Sequence, residues 1–174
     1  MTQGMGGEDQ YDGVSRTADV PGGVLVAHDG SDCAREALQW AAGLAVRAGY
    51  PLHVLRAWKM TTAPLPATWE PGYVPPLEDF EKAVRDELEA HVAAAELDPA
   101  LPVTCHVAHG AAARRIIESA AHADLLVVGA RGLGGFAGLV LGSVSDQLVR
   151  HAPCPVTVVR TGTTRDEAAA DTAG

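Results

Sequence analysis

Six glycines fall between Gly129 and Gly142: Gly129, Gly132, Gly134, Gly135, Gly138 and Gly142. Each costs about 0.5–1 kcal/mol of backbone entropy relative to alanine in regular structure, so such density needs a reason, and close approach of a ligand to the main chain is one. The segment follows an apolar run ending at Val128 and precedes a helical pattern carrying Val144, Leu148 and Val149. A strand's carboxyl end that opens into a helix N-terminus brings main-chain N–H groups and the positive end of the helix dipole to one place, which suits an anion such as phosphate. Ser143, at the helix start, carries a hydroxyl that can cap the helix or bond a phosphate oxygen, and Ser145 lies one step deeper. Arg131, inside the loop, can pair with a phosphate or equally with a surface acid. Leu133, Phe136, Leu139, Val140 and Leu141 intersperse the glycines, so composition alone also allows a flexible apolar hairpin or a membrane-leaning loop.

Other chemistries find less support. The chain has only two lysines, Lys59 and Lys82, and neither follows a glycine, so no G-x-x-x-x-G-K-[ST] phosphate loop exists. Gly132 to Ala137 fits G-x-G-x-x-[GA] formally, but no acid follows the next apolar run, which ends Val159-Arg160. No G-x-S-x-G elbow anchors a hydrolase triad. His106 and His109 have H-x-x-H spacing, yet on a strand they point to opposite faces and no third ligand is near in sequence. Asp29, in His28-Asp29-Gly30-Ser31-Asp32, reads as a turn residue or a ligand contact. Cys33, Cys105 and Cys154 are odd in number and lack C-x-x-C spacing, as expected of reduced core thiols.

The elements that must position these residues are legible from hydrophobic period. Apolar runs at 24–27, 52–58, 102–108, 125–128 and 155–159 alternate with helical patterns at 32–48, 77–97, 111–122 and 142–151. The runs are mostly continuous rather than alternating, as in a parallel sheet covered by helices on both faces. Residues 59–76, with five prolines, Trp69 and Tyr73, form a long irregular excursion of the kind that is often functional. Residues 1–21 and 161–174 are polar and without period and are expected as flexible tails around one domain at 22–160.

The charge of −9, from 13 Lys plus Arg against 22 Asp plus Glu, argues against nucleic acid as a partner. Any anion must therefore be held by a local site. No stretch reads as a signal peptide or membrane span, so a soluble cytoplasmic protein without a membrane partner is expected.

Gly129, Gly132, Gly142 and Ser143 reproduce the G-x2-G-x9-G-[ST] spacing of ATP-binding universal stress proteins, and the chain resembles that family over 22–160, from Val26-Ala27-His28-Asp29-Gly30-Ser31 to Pro153-Cys154-Pro155-Val156-Thr157-Val158-Val159. The resemblance implies a three-layer α/β sandwich with a five-stranded parallel sheet of order 3-2-1-4-5, and homodimers paired through the last strand. It implies that Gly129, Gly132, Gly142 and Ser143 wrap the phosphates and ribose of ATP, with Val144 and Ser145 adding contacts. Asp29 would lie near the ribose and the phosphate-bound Mg2+, while Ala27, His28, Ala57 and Val128 would surround the adenine. His28 and Ala57 depart from the family's usual small or apolar residue and valine. Gly132 and Gly142 are expected in a surface loop where valine would resist positive φ and fill the phosphate's place. The function implied is a stress-response module that acts by nucleotide occupancy rather than catalysis. The alternatives are a slow ATP-hydrolysing enzyme and a dimeric interaction protein that binds no nucleotide.

Overall fold

The computed structural model describes residues 13–134 and 140–161. Its elements alternate as the period requires: β1 (Val24–Ala27), α1 (Asp32–Ala48), β2 (Leu52–Trp58), α2 (Leu77–Ala94), β3 (Val103–His109), α3 (Ala112–Ser119), β4 (Leu125–Gly129), α4 (Ser143–His151) and β5 (Val156–Val159). All four pairings are parallel and the strand order is β3-β2-β1-β4-β5. β1 is central and buried throughout, which explains why its sequence shows no polar alternation.

Two cores result. On one face Val24, Val26, Val54 and Trp58 pack with Leu38 of α1 and with Phe80, Val84 and Leu88 of α2. On the other, Leu25, Leu55, Leu126 and Val128 pack with Ile116 of α3 and Leu148 of α4. Each large side chain so buried contributes roughly 1.5–3 kcal/mol of transfer free energy.

Local chemistry fixes the turns. Ser31 caps α1, its Oγ accepting from the Ala34 N–H at 3.2 Å, and Gly49 ends the helix in the left-handed region at φ 71°. The helical pattern expected over 77–97 runs too long for α2. The helix ends at Ala94, and Glu96 follows at φ 49°.

The tail boundary at Pro21 also moves. Val14 is buried in the first core and Val20 in the second. Between them Ser15 C=O accepts from the His109 N–H at 2.7 Å, and the Ala18 N–H donates to Ser119 Oγ at 2.9 Å. This segment passes the edge strand β3 from one core to the other. Two valines six residues apart carry no period, so composition could not show it. Residues 1–12 and 162–174, the rest of the expected tails, lie outside the described residues, as do 135–139 with Phe136 and Leu139.

Candidate functional site

The carboxyl ends of β1, β2 and β4 and the starts of α3 and α4 surround a cavity of about 770 Å3. It opens where the strand order reverses between β1 and β4, the place where open α/β sheets bind ligands. All twelve residues singled out in the sequence line it: Ala27, His28, Asp29, Ala57, Val128, Gly129, Arg131, Gly132, Gly142, Ser143, Val144 and Ser145.

One end is made of main chain. Gly142 is the N-cap of α4, and the first N–H to bond within the helix is that of Asp146, which donates to Gly142 C=O at 2.9 Å. The N–H groups of Ser143, Val144 and Ser145 precede it and have no acceptor inside the helix. The Ser143 side chain is exposed and does not cap α4. Ser145 is buried and serves the fold, its hydroxyl donating to Gly129 C=O at 2.7 Å. Gly129 has a packing reason as well, because a Cβ there would come within 2.8 to 2.9 Å of Cys33 main-chain and Cβ atoms.

The loop is tied to β1 through Asp29. Its Oδ1 accepts from the Ser31 N–H at 2.9 Å and its Oδ2 from the Leu133 N–H at 3.1 Å. A Cβ on Gly132 would collide with that same Oδ2, whereas a Cβ on Gly142 would meet nothing nearer than 3.5 Å. Neither glycine has a positive φ, and Gly142 stands at −69°. The expectation of positive φ at these two positions is therefore corrected: close approach, not conformation, constrains Gly132, and among the described atoms nothing crowds Gly142.

The other end is made of side chains. His28 is 3% exposed, and its Nδ1 accepts from the Gly30 N–H at 3.2 Å. Burial first, then the neighbouring His91 ring 5.3 Å away, pushes the His28 imidazole down to about 4. It is therefore neutral near pH 7, with its proton on Nε2, since Nδ1 is the acceptor. Arg56, 7% exposed, reaches from β2 to pair with Glu87 of α2. Lys59 lies one residue beyond β2. Its main chain is held in a turn: its N–H donates to Thr62 Oγ1 at 3.0 Å, and its C=O accepts from the Thr62 and Ala63 N–H groups at 2.9 Å.

The cavity wall thus carries Arg56, Lys59, Arg114 and Arg131 against one acid, Asp29. Arg56 and Arg114 are neutralised by Glu87 and Glu118, while Lys59 and Arg131 pair with no described residue. A mostly acidic chain has gathered a net positive lining here, which focuses the field on an anion.

Sequence reading missed Arg56 and Lys59. The usable signal was their position at the carboxyl end of an otherwise apolar strand. The remaining candidates separate as expected from strand geometry: His106 meets His53, Nε2 to Nδ1 at 2.9 Å, while the His109 ring packs against Trp58 in a tilted contact with centroids 4.6 Å apart. Arg115, like Arg114, pairs with Glu118. No group of three metal-ligating side chains exists among the described residues.

Residues 23–160 match the model of the universal stress protein family. The chain belongs to that family. Universal stress protein Rv2623 of Mycobacterium tuberculosis is 35% identical over 144 residues, covering 79% of this chain and 47% of that protein. The chain spans about half the length of the curated relatives it matches. A universal stress protein crystallised in complex with cAMP is 26% identical, with a TM-score of 0.55 over 82% of this chain and 98% of that one. Universal stress protein UspA from Lactobacillus plantarum shares the fold at 24% identity, with a TM-score of 0.57 over 83% of this chain and all of that one. Among the described residues of this universal stress protein no helix is long and apolar enough to cross a membrane.

Proposed function

We propose that this universal stress protein binds an adenine nucleotide, ATP with Mg2+, in the cavity, and acts in stress response through occupancy of that site rather than by catalysis. The observation that carries the reading is the convergence of the α4 N-terminus, the glycine segment and a positive lining on a cavity of about 770 Å3, within the range of small-molecule sites. The related protein solved with cAMP supports an adenine ligand. The N–H groups of Ser143, Val144 and Ser145, with Gly129, Gly132 and Gly142 beside them, would take the phosphates. Ala27, Ala57 and Val128 offer small apolar walls for a purine, and His28 offers a neutral donor at their margin.

Mg2+ fits this site as an ion carried by the nucleotide. Asp29 is the one acid in the lining, and Mg2+ is commonly held by one or two carboxylates together with substrate phosphates. Both Asp29 oxygens already accept one main-chain N–H and each retains a lone pair.

The occupancy reading rests on how these groups are engaged. Asp29 is committed to two N–H groups and His28 is held neutral by burial, so neither is poised to take a proton from an attacking water. The domain is taken as 22–160 with residues 14–20 packed against it, and the protein as cytoplasmic. We further propose that two copies pair through β5, because β3's edge is crossed by residues 14–20 whereas β5 has one neighbouring strand, β4. Native mass spectrometry of gently purified protein should find an adenine nucleotide retained on a dimer. Sustained phosphate release near one per second under saturating ATP would replace the occupancy reading with an enzyme.

A further inference from the structure

Two cations in the cavity wall stand out because the fold fixes their main chain and leaves their charge unused. Lys59 hangs from the turn closed by Thr62, immediately after Trp58, which is 1% exposed and packed against the tilted His109 ring. Arg131 follows Ala130, whose N–H donates to Val159 C=O at 2.7 Å and whose C=O accepts from the Gly142 N–H at 2.8 Å. The two side chains come from loops 72 residues apart in sequence, both line the cavity, both are exposed, and neither has an ion pair with a described residue. The other two cations of the wall are already neutralised by Glu87 and Glu118.

We propose that Lys59 and Arg131 are the residues by which the site selects polyphosphate, favouring ATP over nucleotides that carry a single phosphate. The inference rests on the nucleotide reading above and deepens it. Main-chain N–H groups at the start of α4 hold an anion but have fixed, partial charge, so they distinguish poorly between one phosphate and three. Two full positive charges carried in from separate loops gain more from each added phosphate charge, by Coulomb attraction that solvent weakens without abolishing. Lysine serves as a point charge on a flexible stem, while arginine can bond two oxygens at once. A cyclic monophosphate, with one negative charge, would use neither fully.

The test is calorimetric titration with ATP, ADP and AMP in EDTA, so that no metal masks phosphate charge, at two ionic strengths. The wild-type protein should bind ATP at least tenfold more tightly than AMP, with ADP between, and ATP should lose more affinity on adding salt. Lys59→Met and Arg131→Met should each reduce the ATP-to-AMP ratio several-fold, and the double variant should bring it near one. Lys59→Arg should restore most of it. Both positions are exposed, so melting temperatures should stay close to wild type and serve as the folding control. A wild-type ratio near one, a ratio unchanged in the variants, or ATP binding that vanishes in EDTA and returns with Mg2+ would overturn the proposal while leaving nucleotide binding in place. Failure of all three nucleotides to bind under either condition would remove the nucleotide reading itself, and this inference with it.

Discussion

The two ends of the cavity are built on opposite principles. At the α4 end the polar groups are mainly main-chain N–H groups brought in by Gly142 to Ser145 beside Gly129 and Gly132, and of the side chains there Ser143 faces solvent, Ser145 serves the fold and Arg131 alone adds a charge. At the β2 end the polar groups are side chains, His28, Arg56 and Lys59, from two strand ends, with Glu87 of α2 as counter-ion. A main-chain site is set by backbone geometry and tolerates little change in side-chain volume. A side-chain site is set by charge and burial, and responds to pH and salt instead.

This contrast is broken hardest at Gly129. A Cβ already meets the Cys33 main chain at 2.8 Å, so Gly129→Val must push β4 away from α1. Overpacking of this kind typically costs 1–3 kcal/mol, and here we expect about 3, read by urea denaturation. At the other end, acid should do comparable damage. The His28 pKa of about 4 lies below its unfolded value of 6.5, so the unfolded state binds the extra proton first. Stability conferred by neutral His28 is complete above pH 6.5 and is lost as pH falls to 4. A shift of this size corresponds to roughly 3–3.5 kcal/mol. The ring faces His91, Arg56 and Arg35, which oppose its protonation, and Asp29, which favours it. His28→Asn should flatten that part of the stability profile, and a parallel profile for wild type and variant would refute the assignment.

Smaller effects sharpen the difference within the glycine segment. Gly132→Ala should displace the Asp29 carboxylate and loosen its hold on the Leu133 N–H, costing about 1 kcal/mol of stability by chemical denaturation. Gly142→Ala should change stability by less than about 0.5 kcal/mol, since its φ suits any residue and the added carbon meets only ordinary contacts. A large loss at Gly142 would show that the N-cap geometry is crowded after all.

The same contrast explains what could be read from sequence. The glycine segment and Asp29 were legible because their chemistry lies in short local patterns. The sheet was legible because its strands are buried on both faces, and β1 shows that in four consecutive apolar residues. Lys59 and Arg56 were not, since a lone cation after an apolar run carries no spacing, and Glu87 reads as one more charge on an amphipathic helix. The purpose of Gly132 was likewise hidden: its neighbour is Asp29, 103 residues earlier, and only the folded chain brings the two together. The packed segment 14–20 escaped notice for the same reason, because its partners are on β3 and α3.

The central claim is that the cavity is an adenine-nucleotide site, and thermal unfolding with and without ligand tests it most directly. ATP with Mg2+ at about a hundred times Kd should stabilise the protein by roughly 2–3 kcal/mol and raise its melting temperature by several degrees. No rise with ATP, ADP or AMP at millimolar concentration would contradict the account.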